Sequence, residues 1–257
     1  MGLIETNMGL PGDFRLRVGA DAPVEFFYGT PDTFPGEASA LKHGCTLAPS
    51  CNVFVDIGAH HGLYLFAICS ALDMQAHYIE PNPALFEEVQ ANVARLGWPK
   101  VQGHCMAMAA HDGTVRFTNN LENASMSSIE GFFGNAGQAL RTIEAYCSTF
   151  DSFAVRHGIN NALVKVDVEG AAHLFVEGAA QEFQRIAYLI IEPVGQTGEM
   201  LEALPPGVFS YYINGSRLEL HSSPVEYQGY ELNWLLCWKG PEELRPLLGP
   251  AGFQIIG

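Results

Sequence analysis

A mostly parallel, doubly wound α/β sheet is what this sequence predicts, on three observations. From position 53 onward, short apolar runs alternate with segments of helical length, about 10 to 15 residues each, the rhythm of βαβ units. The runs are rich in β-branched residues and nearly unbroken, as buried strands are. Acids stand where these runs end: Asp56, Glu80, Asp167 and Glu192. Right-handed crossovers place the C-terminal ends of parallel strands on one edge, where ligands of such sheets bind.

Residues 1–50 are rich in Gly and Pro and read as an N-terminal extension or cap; residues 51–257 read as one Rossmann-like domain. Within the extension, "FRLRV" and "VEFFYG" are short β-like runs and "GEASALKHG" a short helix. "VFVDIG" is the first buried strand, followed by "LYLFAICSAL" as a helix. "AHYIEP" is a second strand, stopped by Pro81. The next helix opens with Asn82 as N-cap and Pro83 in its first turn, and closes at Gly97. "VQGHCMAMA" reads as a third strand and "GTVRF" as an added one, before a helix in "STFDSFAVRHG" with Ser148 near its N-cap. "ALVKVDVEG" and "AYLIIEP" are the fourth and fifth strands, with "GAAHLFVEGA" a helix between them that ends near Gly178. The tail adds apolar runs in "VFSYYI" and "LNWLLCWKG".

With 257 residues, 48% apolar and 16% charged, the chain can bury the core of one large domain. Its net charge of −15 comes from 28 acids against 13 bases, with no cluster of Lys and Arg. Phosphate backbones need such clusters, so nucleic acid and anionic membranes are excluded as partners. No apolar stretch approaches the roughly 18 residues of a membrane span, and "MGLIETNMGL" lacks the pattern of an export signal. The six cysteines show no CxxC pairing, so reduced thiols and a cytoplasmic location are expected. Oligomeric state is left open.

The stretch "VFVDIGAHHG" carries more than a strand-to-helix turn requires. The dinucleotide fingerprint G-x-G-x-x-G fails, because position 60 is His; what stands there is D-x-G-x-x-x-G from Asp56, Gly58 and Gly62. That pattern suits S-adenosylmethionine, which has no pyrophosphate but a zwitterionic amino-acid end. Asp56 is expected to meet its ammonium, and the glycines to let the backbone of Ala59 and its neighbours pass close to the ligand. Glu80, which ends the second strand ahead of Pro81 and Asn82, is placed to accept hydrogen bonds from ribose hydroxyls. His60 and His61 read either as contacts to the cofactor's carboxylate or as plain turn residues.

"FVDIGAHHGLY", "YIEPNPALFEEVQANV", "LVKVDVEGAAHLFVEGA" and "LIIEP", in that order over roughly residues 50–195, resemble the FkbM-type methyltransferases. The resemblance implies a class I methyltransferase fold and S-adenosylmethionine as cofactor. It also implies O-methylation of a hydroxyl on a small metabolite or sugar-containing natural product. "NASMSSIEG" is similar to the family's short serine-containing loop. His60 replaces the family's usual Asn, and Ala172 a common Glu. Ala110 stands where an Asp is often found, with Asp112 close by as a further cofactor candidate.

Lys165, Asp167 and Glu169 recur with period 2 and share one face as far as their strand continues. Asp167 falls where cofactor and acceptor meet, with Glu169 just beyond it and Glu192 at the end of the neighbouring strand. Three readings follow. Asp167 or Glu169 acts as general base; or these acids, with Glu192 or His173, hold a divalent cation; or Lys165 pairs with Asp167 to hold the sheet. The acceptor is a small hydroxyl compound or, alternatively, a side-chain amide of a peptide or protein. A non-catalytic nucleoside-binding module and a nicotinamide oxidoreductase are the competing classes.

Overall fold

The computed structural model describes residues 3–6, 15–19, 35–121, 127–129, 139–225 and 233–257. The expected run "VEFFYG" and most of the serine-containing loop "NASMSSIEG" lie outside these residues.

Strands β1 (Leu3–Thr6) and β2 (Leu16–Gly19) pair as an antiparallel ribbon, and helix α1 (Pro35–Leu47) follows. The α/β rhythm then begins with β3 (Val53–Ile57), α2 (Leu63–Ala71), β4 (Gln75–Ile79), α3 (Pro83–Leu96) and β5 (Val101–His104). The expected third strand breaks at Cys105, where Met106 N–H turns back to the His104 carbonyl at 3.0 Å. Its second half, β6 (Ala107–Met108), leaves the main sheet. It joins β7 (Gly113–Asn120), β8 (Ser128–Ile129) and β9 (Leu140–Ser148) in a separate four-stranded sheet. Helix α4 (Phe150–His157) leads to β10 (Ala162–Val166), α5 (Ala172–Gly178), β11 (Ile186–Ile191) and α6 (Thr197–Glu202). The chain closes with β12 (Phe209–Asn214), β13 (Arg217–Leu220), β14 (Trp234–Cys237), α7 (Pro241–Leu248) and β15 (Gln254–Ile256).

The main sheet has the order β15-β13-β12-β14-β11-β10-β3-β4-β5. From β11 to β5 every neighbour is parallel; β14 and β12 are antiparallel additions. Both faces of the parallel part are covered. Phe54 and Leu163 point into one core cluster with α1 and α2, while Val53, Val55, Ile57, Val164 and Val166 point into another with α4 and α5. This two-sided burial is why these strands read as unbroken apolar runs. Asp56 and Lys165, alternating with that second set, face the α1 and α2 side.

Local chemistry sets the helix ends. Asn82 Oδ1 accepts the Ala84 N–H at 3.1 Å, Pro83 occupies the first turn, and Gly97 closes α3 at φ +68°. The N-cap of α4 is Thr149, one residue past the expected Ser148, with its Oγ1 accepting the Ser152 N–H. Leu16, Ala40 and Leu47 share the core cluster of α2 and β3, so the first 50 residues contribute to the packed core.

Helix α5 is fixed by its last residue. A Cβ on Gly178 would lie 2.2 Å from the Ala109 carbonyl oxygen, in the segment after β6. At a helical position Ala is intrinsically favoured over Gly, by up to about 1 kcal/mol, so the sign of a substitution isolates the contact. Gly178→Ala is expected to destabilise by about 1–3 kcal/mol, lowering Tm about 2–4 °C for each kcal/mol in a chain of this size. A raised Tm would show that the close approach is absent.

Candidate active site

The turn after β3 is built by close approach of two strands. Gly58 sits at φ +73°, and a Cβ there would fall 1.8 Å from the Asp167 carbonyl oxygen at the end of β10. Gly62, at φ +81°, has the Phe66 ring 2.7 Å from the same hypothetical atom. The sequence suggested that these glycines clear space for a ligand; what requires them here is the protein's own backbone and ring. His60 also adopts a left-handed conformation, at φ +52°. The N–H groups of Gly58 and Ala59 both donate to the Ile79 carbonyl, at 3.0 and 3.1 Å, which ties the turn to the end of β4.

Glu80 runs beneath this turn. Its Oε2 accepts the His60 N–H at 2.9 Å and its Oε1 the Asn82 N–H at 2.8 Å, leaving each oxygen further lone-pair capacity. Burial pushes the Glu80 carboxyl up to about 7, against the lowering effect of those two N–H donors. Asn82, expected as a cofactor contact, is engaged as the cap of α3 and as a backbone donor to Glu80; Pro81 links the two. Asp56 Oδ2 accepts the Leu65 N–H at 3.1 Å, while Oδ1 is buried without a protein partner. Burial raises the Asp56 carboxyl to about 6, with Lys165 opposing. His60 Nε2 is likewise buried and unpartnered, and burial, with His61 and Lys165 beside it, holds that imidazole well below its usual range. His61 contacts Glu88 on α3, Nδ1 to Oε1 at 2.6 Å. An unsatisfied carboxylate oxygen and an unsatisfied ring nitrogen, both buried and both within electrostatic reach of Lys165, fit a ligand with an ammonium and hydroxyl donors.

The second cluster adjoins it. Lys165 Nζ lies 3.0 Å from Asp167 Oδ2 and 4.9 Å from the centre of the Tyr64 ring. Burial alone would lower the Lys165 ammonium, yet Asp167, Asp56 and Glu37 outweigh it and hold it above its ordinary value. Of the three readings of these acids, the pairing of Lys165 with Asp167 is therefore present. Around the pair, burial raises Glu169 to about 9, helped by Asp167. Glu192 is raised well above the carboxylate range, by burial and then by Asp167, Glu37 and Glu169. Glu169 adopts φ +47°, a left-handed backbone that a non-glycine residue holds only when its surroundings impose it.

Glu37, on α1, belongs to the same cluster and was not foreseen. Burial raises its carboxyl, with Lys165 the main opposing influence and Tyr64 and Asn233 in contact. Its position in the first turn of a helix reads in sequence as ordinary complement to the helix dipole. Asp112, in contrast, is taken up elsewhere. Its Oδ1 accepts from Ser148 Oγ at 2.7 Å and Thr149 N–H at 2.9 Å, and Oδ2 from Ser152 Oγ at 2.6 Å. These donors, Ser152 foremost, hold its carboxyl down at about 2. Asp112 organises the start of α4, because a short acid after a tight turn meets the free N–H and hydroxyl donors of a helix N-terminus.

A sequence profile described as the methyltransferase FkbM domain matches residues 56–234. The chain belongs to the FkbM methyltransferase family. The match begins at Asp56 and takes in every sequence-predicted site residue, but not Glu37. As an FkbM methyltransferase the protein is an S-adenosylmethionine-dependent enzyme that acts on a methyl acceptor, with a Rossmann-like fold. Among solved structures it is similar to an O-methyltransferase from Bacillus cereus in complex with SAH, at 8% identity over 79% of this chain and 80% of the other, TM-score 0.42. An rRNA methylase from Streptococcus thermophilus matches at 11% identity over 76% and 91%, TM-score 0.41. The N-terminal domain of human METTL16 in complex with SAH matches at 11% over 91% and 78%, TM-score 0.39. No curated protein sequence matches. Among the described residues no helix is long and apolar enough to cross a membrane.

The raised Glu169 carboxyl makes a pH prediction for the cofactor-free FkbM enzyme. A carboxyl whose folded pKa is raised from 4.5 to about 9 gives a stability contribution fully present below about 4.5 and lost as pH rises through about 9. Glu169→Gln cannot ionise. Melting curves of variant and wild type should therefore meet near the acid end and diverge toward pH 9, the variant becoming the more stable. Parallel curves across that window would mean that Glu169 ionises freely.

Proposed function

We propose that this FkbM methyltransferase methylates a hydroxyl group of a small, polyhydroxylated metabolite or sugar-containing natural product. The observation that carries the reading is the acidic set Glu37, Asp167, Glu169 and Glu192 around one buried ammonium, Lys165. Neutral carboxyls both donate and accept hydrogen bonds, and ionised ones accept, so such a set can grip several hydroxyls at once. It repels phosphates, in keeping with the net charge of −15.

S-adenosylmethionine supplies an activated methyl group on a sulfonium centre. Asp56 would take its ammonium, Glu80 its ribose hydroxyls, and the backbone of Gly58, Ala59, His60 and Gly62 would wall the same corner. Asp167, oriented by Lys165, accepts the hydrogen bond of the acceptor hydroxyl and aims its oxygen; alignment of this kind supplies several kcal/mol of barrier reduction on its own. Glu169 and Glu192 hold protons in the cofactor-free site, where several carboxyls share the one Lys165 ammonium. Beside a sulfonium charge their carboxyls ionise more readily, so a base arises in the loaded site. A carboxylate also accepts N–H, which makes a side-chain amide the second acceptor class.

The test is a screen of polyols, sugars and amide peptides for the mass gain of one methylene, followed by variants. Asp167→Asn and Glu169→Gln are each expected to cut turnover about 10² to 10⁴-fold, with cofactor affinity within a few-fold of wild type. Turnover that survives both would leave catalysis to positioning alone. In a binding assay, Glu80→Ala should weaken S-adenosylmethionine by about 1–3 kcal/mol through lost charge-assisted hydrogen bonds; unchanged affinity there would remove Glu80 from the site.

A further inference from the structure

We propose that His77, His104 and His157 form a binding site for a divalent transition metal, zinc in the first instance, outside the acid cluster described above. His77 lies in the middle of β4, His104 ends the edge strand β5, and His157 is the last residue of α4. One ring nitrogen from each lies within 4.8 Å of the others, and this is the grouping of metal-competent side chains found among the described residues. The ring centroids form a near-regular triangle, at 5.3, 5.1 and 4.8 Å.

The geometry suits an ion. His77 Nδ1 and His104 Nε2 face each other at 3.1 Å. Two nitrogens bound to one tetrahedral zinc at about 2.0–2.1 Å stand about 3.3–3.4 Å apart, so a few tenths of an ångström of ring movement completes that edge. His157 closes the triangle, and the half-buried state of His104 and His157 leaves the group reachable from solvent. Imidazole nitrogen is a ligand that zinc, copper and nickel accept well.

The surroundings support the same reading. His77 is buried, and the proton that now bridges its Nδ1 and His104 Nε2 would move to the outer ring nitrogen when a metal takes its place. Gln75 lies 3.0 Å from His77 Nε2, and its amide oxygen, reached by turning the amide over, accepts the N–H of a ring ligated through Nδ1. Phe153 stands edge-on to His77 and His104, at 5.5 and 5.0 Å, as an apolar wall. The C-terminus of α4 adds a favourable dipole; the exposed Arg156 opposes it, lowering both His104 and His157.

Occupancy would pin α4 to the edge of the sheet. It would also stiffen the cofactor corner, because the Glu80 N–H donates to the His104 carbonyl at 3.1 Å, three residues beyond His77.

The experiment uses tag-free full-length protein, stripped with a chelator and titrated with zinc chloride against a chromogenic competitor. One equivalent is expected to bind, with a rise in Tm. His157→Gln and His104→Asn should each weaken binding about 100-fold or more and lose the zinc-induced rise, while their metal-free melts stay near wild type. Replacement by cobalt(II) should give the visible absorption of a nitrogen-ligated tetrahedral ion in wild type only. Absence of saturable binding, or equal affinity in wild type and variants, would overturn the site. Should His157→Gln fail to fold, His104→Asn decides the matter.

Discussion

The approach of β3 to β10 is the constraint on which the rest of the site depends. The two strands run in register, with Asp56 opposite Lys165, and their ends are drawn so close that the backbone at Gly58 rests on the Asp167 carbonyl. Only a residue without a side chain can stand there. The same contact brings the turn of the first motif against the loop of the fourth strand. The turn after β3 and the acid cluster are thereby two sides of one junction, and movement in either strand end shifts both.

Electrostatics gives that junction its character. Lys165 is buried with acids on several sides, a combination in which desolvation and Coulomb attraction oppose each other. Attraction prevails for the ammonium because Asp167, Asp56 and Glu37 all act on it. The surplus carboxyls cannot all be ionised in so small a volume, and burial leaves Glu169 and Glu192 holding protons. A single cation thus sorts the acids into a paired one and neutral ones. A sheet of hydrophobic strands would not create this by packing alone; it follows from placing acids at neighbouring strand ends.

Much of this was legible in sequence because local rules and global fold agree. Two-sided burial made the central strands continuous apolar runs, and Asn82, Pro83 and Gly97 bracketed α3 as capping chemistry requires. The acids at strand ends were found by position alone. What escaped was whatever tertiary contact decides. Glu37 sits in a helix whose burial depends on a strand far away in sequence. β9 is a polar, mostly exposed strand, whose pairing with β7 no apolar alternation announces. The break between β5 and β6 needs only a turn at Cys105, and Asp112 looked like a ligand acid because cap acceptors and ligand acceptors use the same side chains.

The placement of Glu37 divides control of the acidic cluster between two parts of the chain. The segment shared with the family begins at Asp56, yet one carboxyl of the acidic cluster arrives from α1, ahead of that boundary. The charge balance at Lys165 is therefore set partly from outside the matched segment, by a helix that precedes the first strand of the parallel sheet. A change confined to α1 would shift the protonation of Glu169 and Glu192 together, since both share that one ammonium.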